Sequence, residues 1–374
     1  MNNYYELILS SSGWKEPWYT LYGNRTQNIS YSENGQIFNS FKLNEINYKK
    51  EIGNINDGRD YKRNERNIYD LYIPYSSLSK KDGYNGIILF VHGGAWNSNY
   101  KDEVEVYCSR YAKLGFITAT VDYTILSDEY EEYNIYKIID EITACIKSIK
   151  KELKSQGFKE EKLELAIGGI SAGSHLSLLY SYLNKNIIIP IKFIINIVAP
   201  ISLEPGYWYF NAEKNKTLED ITKREYIENA YKNGNLVKGN EFNLLYFMNL
   251  FLGNKYTNED LKEMMDNTTI NIENEKYQEM LGLVENSFPL TLIKNKNTLI
   301  PLLCIYTGND ELVGEGQYYP LKEIYEQSNE EIYLVYYRYG NHVLYHSGDE
   351  DSINSMKEMH VKILDFENRH FSKD

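Results

Sequence analysis

From about residue 66 onward the chain alternates short apolar runs with longer stretches of helical periodicity, and that alternation narrows the fold to a mostly parallel sheet covered by helices. Predicted strands are IYDLYI (68–73), GIILFV (86–91), FITATV (116–121), LELAI (163–167), FIINIV (193–198), LIPLLCIY (299–306) and IYLVYY (332–337). Most are apolar throughout, as strands buried on both faces require. Between them, NIYKIIDEITACIKSIKKELKSQG puts Ile135, Ile138, Ile139, Ile142, Ile146, Ile149 and Leu153 on one helical face and ends at Gly157. A shorter helix spans 102–114, stopping before Gly115, and a last one spans roughly 352–367, with Ile353, Met356 and Ile363 facing the sheet.

Two regions break the rhythm. Residues 1–65 are polar and rich in Tyr and Asn, with weak strand signals such as QIFNSFKL, and read as an N-terminal extension packed on the core. Residues 201–298 separate two clear strands with helical patterns, FNLLYFMNLFLG the plainest, and read as a helical cap or lid inserted into a domain of residues 66–374.

Composition excludes several function classes. A net charge of -13 argues against nucleic acid as a partner, since phosphate binding draws on clustered Lys and Arg. The one basic stretch, KSIKKELK (147–154), is the solvated face of a helix. No apolar run approaches the ~18 residues of a membrane span. The N-terminus, MNNYYELILSSSGW, lacks the basic and apolar regions of a secretory signal, which points to the cytoplasm. Cys108, Cys145 and Cys304 are far apart in apolar segments and suit reduced core positions better than a disulfide framework or a metal site.

Four short motifs carry chemistry. The first is Gly169-Ile170-Ser171-Ala172-Gly173, a GxSxG between the strand LELAI and the helical run SHLSLLYSYL. A serine on a sharp strand-to-helix turn has an exposed Oγ, the glycines keep neighbouring β-carbons away, and the helix N-terminus favours a developing anion. The second is FVHGGAW, whose glycines let backbone N–H groups point into a site. The third is IYTGNDELV, where Asp310 follows a buried strand and can orient an imidazole, with Glu311 the competing acid. The fourth is YRYGNHVLYH. A base that follows the acid in sequence limits the histidines to 342, 346, 360 and 370, and His342, after a strand and a Gly-Asn turn, is the best placed, with His346 the runner-up.

Together these motifs resemble the α/β-hydrolase esterase and lipase branch that bears HGG, near the feruloyl and acetyl-xylan carbohydrate esterases and the kynurenine-formamidase-like enzymes. HGGAW is similar to the HGGxW of those families, SAGSHL to their SAGGHL, and VDYTIL to a VDYR-type segment. The resemblance implies an α/β-hydrolase fold with Ser171 as nucleophile, Asp310 as orienting acid, His342 as base, and the N–H groups of Gly94, Ala95 and Ala172 as the oxyanion hole. Ser174, Thr124 and Thr307 depart from the family pattern without removing a catalytic group. His92 and His175 precede the acid and read as structural hydrogen-bonding residues. Trp96, Tyr207 and Trp208 are candidates for the substrate pocket, although an aromatic cluster such as PGYWYF more often just packs a lid.

The expected activity is hydrolysis of carboxylic esters of short acyl groups, acetylated carbohydrates among them, with a small-molecule ester as partner and no cofactor or metal. An arylformamidase or amidase using the same groups, and a non-catalytic ligand-binding relative, are the alternatives. The sequence leaves the oligomeric state open.

Overall fold

A computed structural model describes residues 23–30, 66–127, 133–183, 187–208, 241–308, 310, 312–337, 340–342, 344 and 350–373. Its centre is an eight-stranded sheet of β1 (Gly23–Ser30), β2 (Ile68–Pro74), β3 (Asn85–Val91), β4 (Ile117–Asp122), β5 (Leu163–Ile170), β6 (Ile191–Ile197), β9 (Leu302–Thr307) and β10 (Ile332–Tyr337), in the order β1-β2-β4-β3-β5-β6-β9-β10. The pairs β1·β2 and β2·β4 are antiparallel, and the rest of the sheet is parallel. This is the doubly covered, mostly parallel sheet that the apolar runs imply. In β3, Ile87 to Val91 are fully buried, and each such side chain contributes about 1.5–3 kcal/mol by leaving water.

Helices cover both faces. They are α1 (Glu105–Lys113), α2 (Ile135–Ser155) and α3 (Ala172–Leu183), followed by α4 (Glu241–Phe251), α5 (Asn258–Glu263), α6 (Glu275–Val284) and α7 (Pro289–Lys294). Last come α8 (Tyr318–Ser328) and α9 (Glu350–His370). The predicted stripe of α2 is buried from Ile135 to Leu153. Asn134 caps the helix by accepting from the N–H groups of Tyr136 and Lys137, and Gly157 beyond its end takes a φ of +94°. The predicted helix at 102–114 opens as a 3-10 turn, Lys101–Val104, before α1 begins.

The strand at 332–337 matches its expected bounds, and three observations adjust the others. β5 runs three residues beyond LELAI, through Gly168 and Gly169 to Ile170, because β6 approaches so closely that a β-carbon on Gly168 would lie 2.6 Å from the Ile195 Cβ. β9 starts at Leu302, after Pro301, which has no N–H for the ladder; the Pro301 carbonyl still accepts from Ile194. β1, the polar segment GNRTQNIS, pairs antiparallel with β2 at the sheet edge, whereas QIFNSFKL lies outside the described residues. Within 201–298 the described residues are mainly helical, with one short hairpin of β7 (Met265–Asp266) and β8 (Thr269–Ile270). No helix among the described residues is long and apolar enough to cross a membrane.

The chain order changes side at β3, which has β4 on one edge and β5 on the other. In open α/β sheets ligands bind outside the carboxyl ends of the strands at such a switch. Here β3 leads into His92-Gly93-Gly94 and β5 into Ser171, with Val91 paired to Gly169 at the ends of the two strands.

Candidate active site

Ser171 is the hinge between β5 and α3. Its φ is +53°, a left-handed conformation that costs a non-glycine residue roughly 1–3 kcal/mol and is kept only where the surroundings enforce it. Its N–H donates to the Ile197 carbonyl at 2.8 Å and its carbonyl accepts from the His175 N–H at 3.0 Å. The flanking glycines are steric necessities, because a β-carbon at Gly169 would stand 2.4 Å from the Val91 carbonyl oxygen and one at Gly173 would stand 2.1 Å from it. Ser174, where related families carry glycine, stitches the turn together: its hydroxyl donates to the Gly169 carbonyl and accepts from the Ile197 N–H.

The HGGAW segment forms a left-handed turn. Gly94, Ala95 and Trp96 have φ of +102°, +48° and +61°. Left-handed helical backbone costs about 1–2 kcal/mol per non-glycine residue, and local bonds oppose that cost. The Gly94 carbonyl accepts from the N–H groups of Asn97 and Ser98 at 3.1 and 2.9 Å and from the Ser98 hydroxyl at 2.7 Å. The Trp96 carbonyl accepts from Leu126 N–H at 2.8 Å. Gly93 N–H is engaged by Glu103 Oε2 at 3.0 Å, and Glu103 Oε1 accepts from Asn99 Nδ2 at 3.1 Å. Of the Gly93, Gly94 and Ala95 amides, those of Gly94 and Ala95 have no acceptor among the described residues, and both residues line the cavity that holds Ser171.

Asp310 follows β9 and His342 follows β10. His342 Nδ1 lies 2.8 Å from Asp310 Oδ2 and 3.0 Å from Oδ1. The carboxylate is fully buried and its Oδ1 also accepts from Leu312 N–H and Val313 N–H, each at 2.8 Å. A carboxylate can only accept, so the His342 nitrogen that faces it, Nδ1, is the one that donates, as the third donor to converge on Asp310. The two loops are tied at their bases, where Gly308 N–H and Gly340 N–H both donate to the Tyr337 carbonyl. Glu311 and His346 lie outside the described residues.

Ser171 and His342 line one cavity of about 350 Å³. Gly94, Ala95, Ser98, Asn99 and Glu103 form part of its wall, with Ile170, Pro200, Leu312 and Val313 elsewhere and Asn243, Leu244 and Phe247 contributed by α4. Trp96 also borders it, buried against Phe247 and Phe251. Tyr207 is buried outside the cavity lining, its hydroxyl accepting from Lys294 Nζ at 3.3 Å. The Trp208 side chain lies outside the described residues. Ala172, at the first position of α3, sits directly behind the serine.

The other histidines are engaged elsewhere. His92 is fully buried, stacked 4.1 Å from Tyr123, and donates from Nδ1 to the Gly93 carbonyl at 2.8 Å. Its Nε2 stands 3.2 Å from Asp122 Oδ1, off line for a hydrogen bond. His175 accepts from Trp96 Nε1 and donates to the Ser287 carbonyl; burial pulls its pKa down to about 3, so the ring is neutral. His360 is buried between Tyr111 and Arg110, and His370 bonds Glu331. The three cysteines are buried, and no disulfide joins any of them.

Sequence reasoning passed over Glu103, Asn99, Asn243 and Phe247. None belongs to a motif, and only the distance from Glu103 to HGG, ten residues along the chain, offered a signal.

The family model of BD-FAE matches residues 69–324. A curated relative, a probable isoprenylcysteine alpha-carbonyl methylesterase of Oryza sativa subsp. japonica, is 29% identical over 117 residues; the match spans 31% of this chain and a quarter of that protein. Among solved structures, a truncated carbohydrate esterase from gut microbiota aligns with a TM-score of 0.53 at 15% identity over 83% of this chain and 94% of that one. Esterase B from Lactobacillus rhamnosis gives 0.52 at 14% identity over 83% and 84%. Apo esterase 2 of Thermogutta terrifontis gives 0.51 at 14% identity over 85% and 97%. At those identities the structural likeness speaks for the fold. With a family match over most of its length and a mostly parallel sheet ending in GxSxG and HGG turns, the chain belongs to the BD-FAE family and has the α/β-hydrolase fold.

Proposed function

We propose that this protein is a serine carboxylesterase acting on small esters through an acyl-enzyme. The observation that carries this reading is the pairing of His342 Nδ1 with the buried Asp310 carboxylate at 2.8 Å, in a site where Ser171 holds a strained φ of +53° and shares a cavity with the imidazole.

In this reading His342 Nε2 takes the Ser171 proton as Oγ attacks the ester carbonyl, and Asp310 holds the tautomer and stabilises the imidazolium that forms. The N–H groups of Gly94, Ala95 and Ala172 meet the oxyanion. His342 then returns the proton to the leaving alcohol, and the same base activates water to release the acid. The cavity volume suits small substrates. Its apolar wall of Ile170, Leu244, Phe247 and Val313 fits a short acyl chain, and its polar rim of Ser98, Asn99 and Glu103 fits a hydroxylated alcohol such as an acetylated carbohydrate. The esterase names of the structural neighbours and of the curated methylesterase support ester chemistry. A cap role for residues 201–298 on a domain of residues 66–374 is supported by the side chains that α4 adds to the cavity wall, and an extension role for residues 1–65 by the pairing of β1 with β2 at the sheet edge.

The test is hydrolysis of p-nitrophenyl acetate, butyrate and octanoate by the wild type and Ser171→Ala, with N-formylkynurenine assayed beside them. Turnover of the short esters that is lost in the variant supports the reading. Turnover of the formamide alone favours the arylformamidase, and a folded protein inert toward all four is a binding protein.

A further inference from the structure

Two motif residues have no part in the proposed triad or oxyanion hole, namely the tryptophan of HGGAW and the histidine of SAGSHL. The fold brings them together. Trp96 Nε1–H donates to His175 Nδ1 at 3.2 Å, the rings meet edge to face at 82°, and His175 Nε2–H donates to the Ser287 carbonyl at 2.9 Å. Trp96, His175 and Ser287 are each no more than 2% exposed. Buried polar groups that lose a partner are costly, so this chain of bonds fixes all three positions at once.

Each position belongs to a different part of the site. Trp96 is the third consecutive left-handed residue of the turn that presents Gly94 and Ala95, and a bulky side chain at φ +61° stays there only where its surroundings hold it. His175 sits one helical turn after Ser171, and its N–H caps the Ser171 carbonyl. Ser287 belongs to the 3-10 turn between α6 and α7, within the 201–298 insertion. We propose that His175 is a positioning residue that clamps the left-handed HGGAW turn to the helix bearing Ser171, through Trp96, and braces both against the insertion. This inference rests on the acyl-transfer reading, in which the Gly94 and Ala95 amides must be aimed at the oxyanion rather than at the ground-state carbonyl.

The two ring nitrogens can be tested apart. An asparagine Oδ1 stands where the imidazole Nδ1 does and can still accept from Trp96, whereas a glutamine Nε2 stands where the imidazole Nε2 does and can still donate to Ser287. On p-nitrophenyl acetate His175→Gln is expected to lose about 10- to 100-fold in kcat with KM nearly unchanged, because a small misplacement of the oxyanion donors costs transition-state binding selectively. His175→Asn keeps kcat within about threefold of the wild type, by the same reasoning. Trp96→Phe matches His175→Gln, and the two combined lose no more than either alone, as partners in one interaction should. Should His175→Gln fail to fold, Trp96→Phe carries the same comparison.

Equal losses in His175→Gln and His175→Asn, or a loss in neither, overturn the inference and leave the esterase reading standing. A wild type inert toward every ester overturns the esterase reading itself, and this inference with it.

Discussion

Asp310 Oδ2 lies 2.8 Å from His342 Nδ1, and the same carboxylate accepts two backbone N–H bonds from the loop that follows it. Asp310→Asn keeps an oxygen for Leu312 and Val313 but turns an NH2 toward the ring. The imidazole then bonds through an unprotonated Nδ1 and presents Nε2–H to Ser171, so it cannot act as a base. A fall in kcat of about three to four orders of magnitude with an unchanged melting temperature is expected. A loss below tenfold in steady-state assays would show that Asp310 does not set the tautomer.

Gly173 has no room for a side chain. A β-carbon there would meet the Val91 and His92 carbonyl oxygens at 2.1 and 2.4 Å, and both belong to backbone at the centre of the sheet. Gly173→Ala should cost about 4 kcal/mol or more in urea unfolding, at the extreme of single substitutions. Gly282 is the matched control. It lies in α6 with nothing within 4 Å of its Cβ position, so Gly282→Ala should stabilise by up to about 1 kcal/mol.

Glu103, at the exposed mouth of the cavity, accepts from Gly93 N–H and Asn99 Nδ2. In Glu103→Gln the amide oxygen can serve Gly93 only if its NH2 faces the NH2 of Asn99. A loss in kcat on the order of tenfold is expected from the loosened turn. Adding Asn99→Asp reverses the polarity of that second bond and should return most of the activity. Absence of rescue in kcat measurements would mean that the Glu103 carboxylate acts on the substrate directly.

Glu367 is a buried carboxyl in α9, and among the described residues neither of its oxygens has a hydrogen-bond partner. Burial holds its pKa well above the ordinary 4.5. The folded state therefore keeps a proton that the unfolded chain gives up above pH 4.5, and stability falls as pH rises through that region. Glu367→Gln should stabilise the protein at pH 7 by roughly 1–3 kcal/mol. The advantage should vanish in unfolding titrations below pH 4.5, and its persistence there would contradict the assignment.

The parts of the fold and site that were legible in the sequence are those under local steric command. GISAG and HGGAW could be read because a reversed φ and a close backbone approach demand glycine at fixed spacings, Asp310 because it follows a buried strand, and His342 because it follows a strand and a Gly-Asn turn. The β1 edge strand was not legible, since GNRTQNIS carries no apolar alternation and its pairing is decided by β2. The cavity wall was hidden for a different reason. Phe247 and Asn243 reach it from a helix more than seventy residues after Ser171, where a buried aromatic reads the same whether it packs a cap or lines a site. Tyr207, marked by its aromatic neighbours, pairs with Lys294 instead of facing the cavity.

The most direct test of the central claim, that Ser171 is the nucleophile, is labelling with a fluorophosphonate followed by peptide mass spectrometry, on the wild type and Ser171→Ala. A single adduct on the peptide containing GGISAGSHL in the wild type, absent from the folded variant, is the predicted result. Ester turnover by a wild type that takes up no label at Ser171, or turnover that survives Ser171→Ala, would contradict the account.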